Sequence, residues 1–337
     1  MIPIIAGFNV KGGSSKSFLV SFLVYHLAWM YQTLGLNVVV ADLDPQATVT
    51  AAFFDEFRLE ERRLAETEPN TVFRCVQPLV AGSGDITKPQ LEEIDEQLAL
   101  LGGDLSLFAL EEAFSKAWYS TPNEDSIQIL SAFWRVLQQA ATIQNADIVL
   151  VDVGSNLGAI NRAALIAADY VIVPVAPELL SVQGMEQSGI TLQRWREDWQ
   201  RRLKHYSNDS IKLPQGNMQP VGYVIFQEPI RLYLGTNMYA KWAMQIPKVY
   251  RRAMLNEPAE NTLSIADDPH FLAIFKGFFS VITMAQEARK PVFHLKPADG
   301  AMGAYLTVVQ SAFVEFQRLA REIAKRVGIV LPDLTRP

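Results

Sequence analysis

The chain holds a single cysteine, Cys75, among 337 residues. That leaves no partner for an intrachain disulfide, excludes a cysteine-ligated metal or cluster site within one chain, and fits a reducing compartment. Positive charge is not in excess either. Thirty Lys and Arg against 36 Asp and Glu give a net charge of −6, so any binding to nucleic acid has to come from a local patch. An uninterrupted apolar run is also missing: the longest, Phe18 to Met30, is broken by Ser21 and His26 and reads as a buried helix, not a membrane span. Residues 1–8 show no basic segment ahead of an apolar one, as a secretory signal has, and a cytoplasmic location is the expectation. What remains is the composition of a soluble globular chain, 49% hydrophobic and 20% charged, long enough for one large α/β domain or two smaller ones.

Apolar runs mark the strands. Ile2–Phe8, Asn37–Ala41, Ala146–Val151, Tyr170–Val173 and Val221–Phe226 are short and nearly all apolar, the pattern of strands buried on both faces of a parallel sheet. Helical patterns separate them, so the expected architecture is α/β, a doubly wound, mostly parallel sheet with helices on both faces. Residues 53–145 read as mostly helical, with no linker rich in Gly, Ser or Pro, and are expected to form a helical insertion. The organisation expected is one domain over 1–330 with a short tail at 331–337.

The chemistry-bearing residues sit where those strands end. After the first strand comes Lys11-Gly12-Gly13-Ser14-Ser15-Lys16-Ser17, with Phe18 following. A glycine-rich turn leading into a helix aims backbone N–H groups and the positive end of the helix dipole at phosphate oxygens. Lys16 is placed to reach the β- and γ-phosphates, and Ser17 to sit on Mg²⁺. The ordinary pattern fails, because Val10 and Ser15 occupy its two glycine positions, and such a turn can also be a plain connection. The second strand ends on Asp42-Leu43-Asp44-Pro45-Gln46. Its two carboxylates, at i and i+2, share one side of the strand; one can hold Mg²⁺-bound water while the other orients an attacking water. Asp152 ends the next run, as a metal-holding acid or as a turn-capping Asp. Gln227 follows the fifth run at the same edge.

The sequence K-G-G-x-x-K-[ST], together with these acids, resembles the deviant Walker box of the ParA/MinD family, and most closely its ParA-type partition ATPases. The resemblance runs from Ile2 to about Phe226 and implies a P-loop ATPase that hydrolyses ATP with Mg²⁺. It implies Asp42 and Asp152 in the Mg²⁺ shell, Asp44 positioning the hydrolytic water, and Gln46 on a loop that reports nucleotide state. Pro177 and Glu178, with Ser181 and Gly184 beyond them, resemble the stretch near the nucleotide base. Lys11 is the residue on which the resemblance turns: it implies catalysis across a homodimer with ATP sandwiched between subunits. Two departures stand out. Ser15 adds a Cβ where a glycine usually precedes the phosphate-loop lysine, and Val153-Gly154-Ser155-Asn156 replaces a segment that usually contains proline.

Family members that position DNA bind duplex non-specifically through basic residues and act with an adaptor of ParB type, and both partners are implied here. Residues 305–327 form an amphipathic pattern in which Arg318, Arg321 and Lys325 recur at spacings of three and four, with Arg326 beside them. That face either neutralises phosphates or is a solvated face with Glu315 and Glu322 pairing the arginines. Trp195 and Trp199 read as core or interface. Two alternatives to partition stay open: a membrane-associated regulator of MinD type, for which residues 328–337 are poor anchor material, and a metabolic ligase on the same fold.

Overall fold

The computed structural model describes residues 1–10, 17–64, 71–206, 211–227, 236–258, 264–276 and 278–332. The strands are β1 (Ile4–Gly7), β2 (Val38–Asp42), β3 (Glu92–Asp95), β4 (Leu98–Leu101), β5 (Ile148–Asp152), β6 (Tyr170–Val175), β7 (Gln219–Gln227) and β8 (Phe271–Lys276). They form one sheet in the order β3-β4-β2-β5-β1-β6-β7-β8. Every pairing is parallel except that of β3 with β4.

Every residue of β1, β2, β4 and β5 is buried, because helices cover both faces. Side chains alternate between the two layers. Ile4, Ala6, Val39 and Val149 face one core, while Ile5, Val38, Val40 and Leu150 face the other. The second layer contains α1 (Ser17–Thr33) and the short α2 (Thr48–Phe53), near which α3 (Glu56–Leu64) follows in the chain. The first layer contains α4 (Val72–Val80), α5 (Glu111–Tyr119), α6 (Glu124–Gln144), α7 (Ala159–Ala167) and α8 (Leu179–His205). Then come α9 (Thr236–Ala243) and α10 (Ile246–Val249), which runs into a π-helical segment, Tyr250–Leu255. The chain closes on the second layer with α11 (Phe279–Ala288) and α12 (Ala304–Val327).

Helix α1 leaves β1 over one face and α7 leaves β5 over the other. Connections that part in this way open a crevice beyond the carboxyl ends of the two strands, where ligands of such sheets bind. Residues 53–145 are mostly helical, as expected, yet they also add β3 and β4. Strand β4 pairs in parallel with β2, so this region extends the sheet itself. Trp195 and Trp199 are core residues, 2% and 0% exposed. The aromatic run at 271–275 is the edge strand β8.

Candidate nucleotide site

Asp42 and Asp152 end β2 and β5 and are register partners across that pairing. Asp152 also pairs in register with Gly7, the last residue of β1. The sheet therefore brings both acids beside the strand that leads into the phosphate-loop sequence. Residues Lys11, Gly12, Gly13, Ser14, Ser15 and Lys16 lie outside the described residues. Ser17 is the first residue of α1.

Each acid is buried and held by short polar contacts. Asp42 Oδ2 accepts from the Thr50 backbone N–H at 2.8 Å and from its hydroxyl at 2.7 Å, and Oδ1 accepts from the Asp44 N–H at 3.2 Å. Ala47 makes the turn that permits this: its left-handed backbone, φ 52, swings α2 back so that Thr50 meets Asp42. Asp152 Oδ2 accepts from the Ser21 hydroxyl at 2.6 Å. Ser21 stands in the second turn of α1. Asp44 is 5% exposed and accepts from the Gln46 N–H at 3.1 Å, while Gln46 itself is exposed.

Burial pushes the carboxyls of all three acids above the ordinary range. The Asp44 charge raises Asp42 further, against the hydrogen bonds from Thr50, and the Asp42 charge raises Asp152 further. Buried carboxylates that repel one another are stabilised by a cation. Clustered carboxylate oxygens with hydroxyls nearby are donors suited to a hard ion such as Mg²⁺. Among the described residues no group of three or more His, Cys, Asp or Glu is placed to hold a metal alone. Mg²⁺ typically takes one or two carboxylates and completes its shell with phosphate and water, so the residues present fit it.

The loop after β5 packs against the same acids. A Cβ on Gly154 would lie 3.0 Å from Asp44 Oδ1 and 3.3 Å from the Asn161 amide. Only glycine allows that approach without displacing one of them. Asn161, fully buried on α7, donates to the carbonyls of Gly154 at 2.5 Å and Asn156 at 2.9 Å, and its Oδ1 has no partner. Glu111 accepts from the N–H groups of Ala159 and Ile160 and caps α7.

The segment after β6 fixes the start of the phosphate loop. Asn9 donates to the Pro174 carbonyl at 2.8 Å, and the Val10 N–H donates to the Ser188 hydroxyl at 2.8 Å. A Cβ on Gly184 would fall 1.8 Å from the Val10 carbonyl oxygen, so α8 seats directly on the residue before Lys11. Ser181 accepts from the Ala176 N–H at 2.9 Å. Pro177 and Glu178 are half-buried at the entry to α8, and Phe18 is half-buried in the first turn of α1. Gln227 lies at the same edge of the sheet, but three strands from Asp152, roughly 14 Å at the usual strand spacing.

The basic residues of α12 divide. Arg318, Arg321 and Lys325 are exposed. Arg326 instead donates to Glu322 at 2.7 Å and to the Val221 carbonyl at 2.9 Å, tying α12 to the start of β7. Thr50, Asn161 and Glu111 escaped the sequence reading. For Asn161 a signal existed, a lone amide inside the apolar run Ala159–Ala167; for Thr50, eight residues from Asp42, there was none.

Comparison with known proteins covers the same elements. The family model described as an AAA domain, AAA_31, matches residues 2–205. Protein IncC of Escherichia coli is 31% identical over 190 residues, 56% of this chain and 45% of that protein. A putative replication protein A of Rhizobium rhizogenes is 28% identical over 194 residues, 55% of this chain and 43% of that protein. The match thus spans less than half the length of either relative. Two solved structures share the fold along nearly the whole chain. The ATP complex of a Cyanothece McdA variant has a TM-score of 0.60 at 11% identity, covering 98% of each chain. The pNOB8 ParA bound to nonspecific DNA has a TM-score of 0.52 at 14% identity, covering 97% of this chain and 99% of that one. The family match takes in β1, the phosphate-loop sequence, both register-paired acids and α8, and on that extent the chain belongs to the ParA/MinD family of P-loop ATPases, on its ParA-type partition side.

Proposed function

We propose that this chain is an ATP-hydrolysing partition protein that dimerises around ATP and Mg²⁺ and positions a plasmid, chromosome or other cargo. The observation that carries the reading is the register pairing of Asp42 with Asp152 beside the end of β1. Under this proposal the pair supplies two buried carboxylates to Mg²⁺ on a bound triphosphate.

In this reading the backbone of residues 11–17 cradles the phosphates, with Phe18 behind them, and Lys16 reaches the β- and γ-oxygens. Ser17, Asp42 and Asp152 hold Mg²⁺, which when bound neutralises charge on the transferring phosphoryl group. Asp44 orients the attacking water, and Gly154 keeps the loop after β5 close to it. Gln46, exposed on the adjoining turn, reports whether the γ-phosphate is present. Pro177, Glu178 and Gln227 lie along the edge where the base rests. Lys11 of one copy reaches the phosphates held by the other, so ATP joins the dimer and hydrolysis releases it.

Arg318, Arg321 and Lys325 contact the phosphates of duplex DNA without reading sequence, and a small adaptor of ParB type links the dimer to its cargo. DNA binding by the pNOB8 ParA of the same fold supports this output. Among the described residues no helix is long and apolar enough to cross a membrane. The DNA binding proposed here puts the protein's work in the cytoplasm, in association with the nucleoid.

Lys11→Ala tests the reading most sharply. Light scattering should show that ATP no longer dimerises the variant, while monomeric nucleotide binding survives in part. Normal ATP-dependent dimers of Lys11→Ala would refute the role given to this residue. A gel shift on arbitrary duplex DNA with ADP, ATP and a slowly hydrolysed analogue tests the output, and equal binding in all three states would refute nucleotide control of it.

A further inference from the structure

A cavity of about 380 Å³ lies between α1, α2 and α11. Small-molecule sites occupy about 300–1,000 Å³ behind mainly apolar walls, and this volume falls in that range. Here one wall is aromatic: Phe18, Phe22 and Tyr25 line it from α1, with the Phe18 and Phe22 rings 5.3 Å apart. The facing wall is small and aliphatic, Ile282 and Ala285 from α11, with Ala52 closing the end from α2. Aromatic rings in the lining offer faces and edges for stacking, which suits a flat apolar body.

Charge gives the slot a direction. Arg289 and Lys290 line it, and among the described residues no Asp or Glu does. Lys290 is neutralised by Asp299 at 2.7 Å. Arg289 instead donates Nη1 to the Ala51 carbonyl at 3.0 Å, an uncharged acceptor that leaves the guanidinium without a counter-ion in the lining. His26, also in the wall, adds no charge. Its Nε2 accepts from the Val292 N–H and its Nδ1 donates to the Phe22 carbonyl, so the ring is neutral.

We propose that this cavity is a binding site for a small aromatic anion, its ring system held between α1 and α11 and its acidic group on Arg289. The site adjoins the carboxylate cluster through two of its own lining residues. Ser21 donates to Asp152, and Thr48 stands two residues before Thr50, which holds Asp42. An occupant restrains the two helices that position the acids and so tunes nucleotide turnover. That consequence rests on the function proposed above; the binding itself does not.

The probe is 8-anilinonaphthalene-1-sulfonate, a fused-ring sulfonate, titrated into the full-length folded chain. The expected result is saturable one-site fluorescence enhancement that is abolished in Ala285→Trp, where the indole fills the slot. Arg289→Asn suits the left-handed backbone at this position, φ 52, and removes the cation; it should weaken binding about tenfold. ATP with Mg²⁺ should leave the signal in place. Absence of saturable enhancement, or enhancement undiminished in Ala285→Trp, overturns the proposal. Competitive displacement by ATP overturns it as well, because the cavity would then be the base pocket of the nucleotide site. Should circular dichroism show Ala285→Trp unfolded, Ala52→Phe fills the pocket from its α2 end and is read in the same way. A chain unable to bind ATP still binds the dye if the proposal holds, so the two readings fail separately.

Discussion

Helices α1 and α12 pack against each other in the same layer, yet their surfaces are opposites. Residues Leu19 to Ala28 of α1 are all buried, Ser21 and His26 among them. Helix α12 buries one stripe, including Phe316, Leu319, Ala320 and Ile323, and keeps Arg318, Arg321 and Lys325 in water. A helix apolar nearly all round needs cover on most of its sides, and α1 has it from the sheet, α2 and α12, with the cavity left along the side toward α11. The difference sorts the work. The buried helix follows the phosphate-loop sequence and holds Asp152 through Ser21, which in the proposed function makes it the floor of the nucleotide site. The half-covered helix keeps a charged face in water, the face that the proposed function gives to DNA.

Changes at the seam between the two helices should show the largest effects. Phe316 is fully buried, with its ring 5.0 Å from His26, 4.4 Å from Phe275 and 6.1 Å from Phe22. Phe316→Ala should cost about 3–5 kcal/mol in urea unfolding, as removal of a large core ring does. A loss below about 1 kcal/mol would mean that α12 is not the cover α1 depends on.

His26 carries the next effect, and it is pH-dependent. Burial pushes its pKa down to about 3 from the usual 6.5, against the backbone bond to Phe22 that raises it. The folded chain therefore binds fewer protons than the unfolded chain between those values. His26 contributes stability that is present above pH 6.5 and is lost as pH falls toward 3. Its share of the loss between pH 6.5 and 5 should be about 1.6 kcal/mol. Thermal unfolding across that range should show a slope that flattens in His26→Gln, and an unchanged slope would remove His26 from the account.

Tyr31→Phe probes the same seam with one atom. The Tyr31 hydroxyl, from a fully buried side chain, donates to the Ala320 carbonyl at 3.0 Å. Losing it should cost about 1 kcal/mol, since the carbonyl keeps its place in the helix. Urea midpoints of the two proteins compared at equal slope would measure it.

How far the sequence disclosed this arrangement depends on whether a residue acts locally or across the fold. Strands β1, β2, β5, β6 and β7 were legible because burial on both faces makes their sequences continuous apolar runs. The all-round apolar character of α1 and the single stripe of α12 were legible for the same reason, since each pattern records how many sides are covered. Strand β4 was not. Leu98–Leu101 is only four residues long and sits among Glu, Asp and Gln, where a helix and a strand look alike. In the site, Asp42, Asp44 and Asp152 stood out as acids ending apolar runs. What holds them did not: Thr50 reaches Asp42 only because Ala47 turns the chain, and Gly154 approaches Asp44 only because two loops converge. Contacts made by folding have no signature in spacing. Register does the rest, since parallel pairing alone sets Asp42 opposite Asp152 across 110 residues of chain.

The smallest effect on stability should come with the clearest loss of proposed function, on the exposed side of α12. Arg318, Arg321 and Lys325 lie in water, so replacing all three by alanine should shift unfolding by about 0.5 kcal/mol or less per residue. Alanine is also the best helix former, which offsets part of any loss. If these cations meet DNA phosphates, each one removed should lower the slope of log K against log salt by about 0.9. The triple variant should then bind duplex weakly and with a much shallower salt dependence, while ATP-dependent dimerisation stays intact. Arg326→Ala reverses the pattern. Its bonds to Glu322 and to the Val221 carbonyl hold α12 on β7, so it should cost stability and leave the salt slope nearly unchanged. An equal drop in slope from Arg326→Ala and from one of the exposed residues would erase the distinction between the two sides of the helix, and with it the assignment of the exposed side to an external partner.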